Sequence, residues 1–313
     1  MQAVTLPFSG RIIRTFLLLT LLLASNHLFA GTLVRVSTTM GDYTIELLDD
    51  VAPVTVQNFL NYVQRNDFNG TYLHRVINDF VVQGGAFRFQ LFVGPVDVPA
   101  DPPIVNEFSV SNTRGTVAMA KLDGNPNSAS NQWFVNLTDN LELDTSNGGF
   151  TVFGNVVGNG MTVLEAIGDL PFVNLGVKAS DTPYWTTEFS NGLDFIYMNV
   201  EVVDRFSEAP HVFETNRGLL ITSVSVNNGE ETVSLNFNSV PGEGDLVLRA
   251  NLESIIPRRD SFEGIATYST TDNRLRIPVL EVNQNGSVFL IRNVVFALTD
   301  AEQSLFTIES YEQ

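Results

Sequence analysis

Short apolar segments separated by turn residues recur along most of the chain, whereas only two segments have the residue spacing of an amphipathic helix. One is Pro53–Gln64, in which apolar side chains recur every three or four residues and share one face. The other is the shorter segment 161–167. The remaining segments are rich in β-branched and aromatic residues and are bounded by Gly, Asn and Pro, which favours strands. The chain is therefore predicted to be mainly β.

The pattern divides the chain into two parts after its first thirty residues. Residues 31–205 mix strand-like segments with both predicted helices, which is typical of an antiparallel barrel with helices over its ends. From residue 210 onward, β-rich segments are separated by turn signals such as Pro241-Gly242 and Asn285-Gly286, and no helical spacing appears. We predict a small all-β domain, a sandwich or a barrel, over residues 210–313, with a linker at 206–211.

The first thirty residues have the features of an export signal. Arg11 and Arg14 precede an apolar stretch over residues 16–24, and a strand-like run begins after Ala30. The stretch is shorter than the about 20 residues needed to span a bilayer. We predict a signal peptide over residues 1–30 and a periplasmic or secreted mature chain without a membrane span. A buried N-terminal helix and a retained membrane anchor are the alternatives.

Charge and residue usage exclude several classes of function. The chain has 17 Lys and Arg against 35 Asp and Glu, so nucleic acid and anionic lipid are disfavoured partners. Without cysteine there is no disulfide, no thiolate metal site and no cysteine nucleophile. A hydrolase triad would have to use His74 or His211, because the third histidine, His27, falls in the predicted signal. We predict no metal and no cofactor.

Residues 68–85 contain the most informative motif. Their sequence, FNGTYLHRVINDFVVQGG, predicts a strand, a turn and a second strand, with Arg75 and Gln83 as polar groups among apolar neighbours. A half-buried arginine without a carboxylate in its own segment is costly, so it requires a partner or a function. Considered alone, Arg75 is most simply interpreted as part of a surface salt bridge.

Two further motifs follow along the chain. Residues 115–120 read GTVAMA, and residues 131–134 read NQWF after a turn-rich loop. Leu143 is followed by a glycine-rich turn. A predicted strand with the sequence FTVFG then begins at Phe150. In order and spacing, the three motifs closely resemble the cyclophilin family of peptidyl-prolyl cis-trans isomerases, over roughly residues 31–204. Residues 103–108 and the loop before Phe150 are similar to its exported bacterial branch.

The resemblance implies an eight-stranded antiparallel barrel capped by two helices, with a substrate groove on one face. Its substrates would be proline-containing polypeptides, and His74 would be a buried packing residue. The implied catalytic residue is Arg75. The implied substrate-binding residues are Phe80, Val81, Phe134 and Leu143 around the proline ring, Gln83, Ala120 and Gln132 at the peptide backbone, and Phe150 at the groove edge.

Four positions depart from patterns common in the family, among them Phe150, where many eukaryotic members carry histidine, and Ala86, where an acidic residue is common. Glu142 stands where many members carry a tryptophan, which predicts weak binding of cyclosporin-type inhibitors. Lys121 stands where a neutral residue is common.

We predict from the resemblance an active isomerase (rotamase) that assists the folding of exported proteins. Two alternatives remain open. The barrel could hold peptides without catalysis, as a chaperone or scaffold, or the biological role could reside in the C-terminal domain, whose partner the sequence does not identify.

Overall fold

The computed structural model describes residues 31–177, 179–242 and 244–313. The predicted signal peptide over residues 1–30 lies outside these residues. None of the helices within them is long and apolar enough to cross a membrane.

Residues 33–203 form a large antiparallel sheet around one hydrophobic core, together with two helices and a separate two-stranded pair. The helices are α1 (Pro53–Gln64) and α2 (Gly160–Gly168), as the sequence predicted to within one residue at each end. Strands β11 and β12 form the separate pair, and the other eleven form the large sheet. The strands are β1 (Leu33–Thr38), β2 (Gly41–Leu47), β3 (Thr71–Tyr72), β4 (Arg75–Ile77), β5 (Val81–Gly84), β6 (Phe87–Gln90), β7 (Gly94–Asp97), β8 (Thr116–Met119), β9 (Trp133–Asn136), β10 (Val152–Val157), β11 (Phe172–Val173), β12 (Thr182–Pro183) and β13 (Tyr197–Val203).

The strand order explains why the sheet has eleven strands where the sequence predicted eight. The order runs β4-β5-β9-β8-β10-β2-β1-β13-β3-β6-β7. Strands β3 and β4 are the two halves of one predicted strand, which bends at Leu73 and His74 so that its ends join different neighbours. The strand order therefore begins with β4 and, near its other end, reaches β3, which lies next to β4 along the chain. The β6–β7 hairpin, which the sequence did not reveal, adds the other two strands.

Both helices cover the core through one apolar face. In α1, Val56, Phe59 and Val63 are buried, and the ring of Phe59 packs edge-on against Trp133 at 5.8 Å between centroids. Pro53 starts the helix where no backbone donor is needed. The carboxylate of Glu107 accepts hydrogen bonds from two free N–H groups of the first turn, those of Val54 at 3.1 Å and Thr55 at 2.8 Å.

Residues 212–312 form a second sheet, which closes into a ring. Its order is β14-β15-β16-β17-β21-β20-β19, and β19 pairs in parallel with β14, so seven strands surround a second core. Strand β18 pairs with both β15 and β19. The strands are β14 (Val212–Glu214), β15 (Leu219–Val226), β16 (Glu231–Ser239), β17 (Val247–Pro257), β18 (Ala266–Ser269), β19 (Arg274–Gln284), β20 (Ser287–Asp300) and β21 (Leu305–Glu312).

The segment predicted as a linker is packed rather than free. Phe206 packs against a small cluster that includes Leu33 and Leu219, one residue from each sheet. His211 is buried, and its ring nitrogens lie 2.6 Å from Thr222 Oγ1 and 2.8 Å from the carbonyl oxygen of Gly264. Burial, the main cause, lowers the pKa of His211 to about 4. A polar residue beside a proline can thus be fully satisfied by partners that are distant in sequence.

The two sheets are joined by buried polar contacts. Asp42 on β2 forms ion pairs with Arg35 of its own sheet and with Arg258, which follows β17 of the other sheet. On β13, Asn199 Nδ2 donates to the carbonyl oxygen of Ser254 at 2.6 Å. Glu201 Oε1 accepts from Asn236 Nδ2 at 2.9 Å. These contacts use β1, β2 and β13, so they leave β4, β5, β8 and β9 free to form a site elsewhere on the sheet.

Candidate active site

Four adjacent strands place the predicted site residues in one row. Arg75 on β4 is paired with Gln83 on β5, and Gln83 is paired with Phe134 on β9. Residues directly opposite each other in an antiparallel sheet project from the same face. Strand alternation therefore puts these three side chains on one face, while Val82 and Val135, their chain neighbours, are buried in the core. Because successive side chains of a strand point to opposite faces, the site residues lie on one face of the sheet and the core residues on the other.

A cavity of about 240 Å³ lies at this face. Eight of the nine residues predicted for the site line it, and Lys121 is the ninth lining residue. Gln132 is the predicted residue that does not line the cavity. It contacts the lining residue Gln83 through a hydrogen bond. The lining residues are Arg75, Phe80, Val81, Gln83, Ala120, Lys121, Phe134, Leu143 and Phe150.

A chain of hydrogen bonds orients the polar side of the cavity. Arg75 Nη1 donates to Gln83 Oε1 at 3.2 Å, and Gln83 Nε2 donates to Gln132 Oε1 at 3.0 Å. The backbone fixes the far end of the chain, because the amide of Ala120 donates to the carbonyl oxygen of Gln132 at 2.9 Å. Since the amide oxygen of Gln83 is used by the arginine, its amide nitrogen must face Gln132.

Arg75 carries its charge into the cavity. Its guanidinium is half-buried and lies 5.8 Å from the centroid of the Phe80 ring. Burial lowers the pKa of Arg75, and the negative charge of Asp181 opposes this effect. Among the described residues Arg75 has no carboxylate oxygen within 4.0 Å, so the simple surface salt bridge that the residue suggested on its own is absent there. A cationic donor that is not neutralised by direct pairing can interact with a ligand.

The opposite side of the cavity is apolar. Val81 and Phe134 are buried, and the Phe134 ring packs edge-on against Phe150 at 5.9 Å between centroids. Leu143 lies in a single 3-10 turn, Leu141–Asp144. The turn is held in place by Asp144, whose carboxylate accepts a hydrogen bond of 2.8 Å from the backbone of Asn112. The same hydrogen bonding from Asn112 keeps the pKa of Asp144 below its usual value, against the opposing effect of burial, which is the largest contribution.

Lys121 is a lining residue that sequence reasoning did not assign to the site. Its ammonium group donates to the carbonyl oxygens of Asn147 at 2.9 Å and Gly149 at 2.6 Å, and it lies 4.7 Å from the Phe150 ring centroid. Burial lowers its pKa. Lys121 therefore fixes the loop that carries Phe150. Its position directly after Ala120 was the available signal.

His74 is a packing residue, as expected. It is 1% exposed and packs edge-on against Phe87 at 5.1 Å between ring centroids. Burial, the largest cause, lowers its pKa to about 4, whereas hydrogen bonding with Gln132 opposes that shift. The imidazole next to Arg75 is therefore neutral at ordinary pH and adds no charge to the site.

Comparison with known proteins identifies the family. The family model described as cyclophilin type peptidyl-prolyl cis-trans isomerase/CLD matches residues 33–184. A peptidyl-prolyl cis-trans isomerase from Acinetobacter baylyi is 41% identical over 50% of this chain and 82% of its own length. Peptidyl-prolyl cis-trans isomerase B of Escherichia coli is 42% identical over 43% of this chain and 83% of its own. The chain belongs to the cyclophilin family.

The protein is thus a cyclophilin-type peptidyl-prolyl cis-trans isomerase, an enzyme that binds proline-containing peptides. The family match ends one residue after β12, so the C-terminal ring lies beyond it. Among solved structures, a cyclophilin-type isomerase from Cryptosporidium parvum, crystallised in the presence of the dipeptide Ala-Pro, has a TM-score of 0.42 and 21% identity. The superposition covers 55% of this chain and 99% of the Cryptosporidium parvum chain.

Proposed function

We propose that this cyclophilin accelerates cis-trans isomerisation of X-Pro bonds in other exported polypeptides, with Arg75 as its catalytic residue, and so assists their folding. The observation that carries the residue assignment is the half-buried guanidinium of Arg75, which lines a cavity with an apolar opposite side and has no directly paired carboxylate among the described residues. The cavity combines a cationic hydrogen-bond donor with an apolar surface, and a twisted X-Pro bond would be stabilised by both.

The reaction requires no bond to be broken. An X-Pro bond rotates slowly because the amide C–N bond has partial double-bond character, with a barrier of about 18–20 kcal/mol. At the twisted transition state this conjugation is lost, and the proline nitrogen becomes a better hydrogen-bond acceptor. A donor held near that nitrogen binds the twisted state more tightly than either planar state, and this difference lowers the barrier. Arg75 is the residue placed to supply the donor.

The other lining residues restrict rotation to one bond. Phe134 and Leu143, with Phe80 and Val81, offer an apolar surface for the proline ring. Ala120, Gln83 and Gln132 lie on the polar side, where they can hold the peptide backbone. Gln83 has a second role, because it already accepts a hydrogen bond from Arg75 and so limits the orientations of the guanidinium.

Export is supported by the N-terminal sequence. Two arginines followed by a short apolar stretch and Ala30 are typical of a cleaved signal, and a chain without cysteine needs no oxidative folding. We propose that the mature protein begins near Gly31 and acts in the periplasm or outside the cell. Expression of the full-length chain in a Gram-negative host, followed by fractionation and N-terminal sequencing, tests this: recovery of an uncleaved cytoplasmic chain would contradict it.

We also propose that residues 31–205 carry the catalytic function and that residues 210–313 are a separate all-β domain. The end of the family match before the ring-forming strands supports this division. Substitutions confined to the ring surface, such as Leu290→Asp, are expected to leave peptide isomerisation unchanged. A loss of activity in such a folded variant would contradict the division.

A refolding assay tests the proposed role with polypeptides. The substrate is an unfolded exported protein whose refolding is limited by a slow X-Pro step, which takes tens of seconds or more without catalysis. The mature chain should accelerate this phase at substoichiometric concentration, and the Arg75→Ala variant should not. If both chains suppress aggregation equally and neither changes the slow phase, the barrel is a non-catalytic chaperone and the proposal is wrong.

A further inference from the structure

The C-terminal ring contains a second cavity that is unrelated to the isomerase site. The cavity has a volume of about 290 Å³ and is lined by thirteen residues. Its inner part is formed by core side chains of the ring, including Phe237, Leu275 and Phe306. Leu252 and Ile255 on β17 also line it and are 60% and 45% exposed, so the cavity reaches the surface there.

The chemistry of the lining is uniform. None of the thirteen lining residues is charged, and Tyr268 and Ser304 are the members with a polar side-chain atom. An apolar cavity has no groups to hydrogen-bond with water and gains free energy from an apolar occupant. A charged ligand would lose its hydration without compensation. The lining therefore selects an uncharged, hydrophobic group.

The volume limits the size of that group. An apolar cavity of about 150 Å³ is sufficient for benzene. The ring cavity has about twice that volume, which corresponds to a fused two-ring aromatic compound or a branched hydrocarbon of similar size. Ligand sites are common at the open ends of closed strand assemblies, where inward-facing side chains leave space.

The cavity also distinguishes a free molecule from an extended peptide. Each of the seven strands pairs with two neighbours, but β17 pairs with β21 only through Val247–Arg249, so closure of the ring does not by itself exclude a peptide at the entrance. The lining does disfavour one, because Tyr268 and Ser304 are its members with a polar side-chain atom and a buried peptide backbone needs hydrogen-bond partners. A compact molecule without a peptide backbone therefore fits the cavity better.

We propose that the C-terminal ring binds a small uncharged hydrophobic molecule, of the size of a fused two-ring aromatic compound, in the cavity entered beside Leu252 and Ile255. The proposal does not depend on the function proposed for the isomerase site. It assigns to the C-terminal domain a ligand-binding role that is separate from catalysis.

Calorimetric titration of the full mature chain with indole tests the proposal. We expect one saturable site with a dissociation constant below about 1 mM, an affinity within the range open to a ligand of this size in an apolar pocket. Leu252→Asp places a carboxylate beside the entrance and should weaken binding by at least about tenfold. Ala250→Leu, which fills part of the cavity without adding charge, should also weaken it.

Leu290→Asp is the matched control. Leu290 is 53% exposed, as Leu252 is 60% exposed, but it does not line the cavity. Its variant should bind indole as the wild type does, and all three variants should retain isomerase activity. The absence of binding by the wild type, or equal binding by the Leu252→Asp and Leu290→Asp variants, would overturn the proposal.

A blocked tetrapeptide, Ala-Trp-Ala-Ala, separates the two sources of an aromatic group. The proposal predicts weaker binding of the peptide than of indole, because the apolar lining offers few groups to hydrogen-bond a peptide backbone. Tighter binding of the peptide, sensitive to Leu252→Asp, would assign the cavity to polypeptide side chains and would contradict the proposal.

Discussion

Arg75 and Gln83 lie directly opposite each other on adjacent antiparallel strands, and the arginine donates a hydrogen bond of 3.2 Å to the glutamine side chain. Gln83 is in turn held by Gln132 on the loop before β9. The orientation of the guanidinium thus depends on a second side chain, which itself depends on a third. Arg75 is therefore positioned by more than its own strand.

Replacing Gln83 with leucine should reduce kcat/KM by about ten- to a hundredfold, because a hydrogen bond to a charged group contributes about 1.5–3 kcal/mol. The effect should be smaller than that of removing Arg75 itself. The measurement is isomerisation of a short X-Pro peptide, with Gln90→Leu as control, because Gln90 is exposed on β6 and does not line the cavity. Unchanged activity in Gln83→Leu would show that Arg75 does not need this partner.

Replacing Phe134 with leucine should raise KM for the same peptide by about tenfold, since an imperfectly filled apolar pocket loses about 1–3 kcal/mol. The catalytic constant should change less, because the role proposed for Phe134 is to hold the proline ring and not to act on the rotating bond. Phe172→Leu is the control: Phe172 is 58% exposed and lies outside the cavity. An equal fall in kcat with no change in KM would be inconsistent with the role assigned to Phe134.

Sequence reasoning predicted most of this site because its residues lie in three compact motifs. Their assignment came from the resemblance to the cyclophilin family, and strand pairing brings Arg75, Gln83 and Phe134 into one row. Lys121 was missed because its acceptors, Asn147 and Gly149, are more than twenty residues away and become neighbours only when the loop folds back.

The fold was less predictable at its edges and between its two parts. The β6–β7 hairpin contains Phe92, whose left-handed backbone conformation (φ 68°) is unfavourable for a bulky residue and has no sequence signal. Closure of the C-terminal ring depends on the parallel pairing of β14 with β19, which are separated by more than sixty residues. The buried group formed by Arg35, Asp42 and Arg258 joins residues that give no sign of proximity in the sequence.

Asp42→Asn should destabilise the protein by about 3–5 kcal/mol, because it leaves the charge of buried Arg35 without a carboxylate partner, whereas Arg258 keeps its ion pair with Asp260. Arg35 and Arg258 are each 4% exposed, and their charges keep the pKa of Asp42 below its usual value although burial, the largest effect, acts to raise it. Urea unfolding measures the change. Asp272→Asn, which removes an exposed ion pair with Arg276, should leave the unfolding midpoint nearly unchanged. Similar midpoints for both variants would contradict the importance of the buried group.

Glu214→Gln should change the pH dependence of stability. Glu214 is fully buried in the C-terminal ring, and burial raises the pKa of its carboxyl from 4.5 to about 7. A raised pKa in the folded state means that the neutral carboxyl stabilises the fold below about pH 4.5, and that this contribution is lost as the pH rises through 7. Relative to the wild type, the glutamine variant should therefore become more stable between pH 5 and pH 8, by about 2–3 kcal/mol.

Urea unfolding of both chains at the two pH values measures this difference. The variant should retain an acceptor for Asn283 Nδ2, which donates to Glu214 Oε2 at 2.7 Å. Glu142→Gln is the matched control, because Glu142 is exposed and lies outside the C-terminal ring. The same wild-type-to-variant difference at pH 5 and pH 8 would show that Glu214 titrates normally.

The measurement that tests the central claim most directly is the rate of X-Pro isomerisation by the purified mature chain, its Arg75→Ala variant and an Arg114→Ala control. Arg114 is half-exposed and paired with Glu165 outside the cavity, so its removal should have no effect on the rate. With all three proteins shown to be folded by circular dichroism, we predict strong acceleration by the wild type and by Arg114→Ala. Arg75→Ala should be slower by at least about a hundredfold. Equal rates for the wild type and Arg75→Ala would contradict the assignment of catalysis to Arg75.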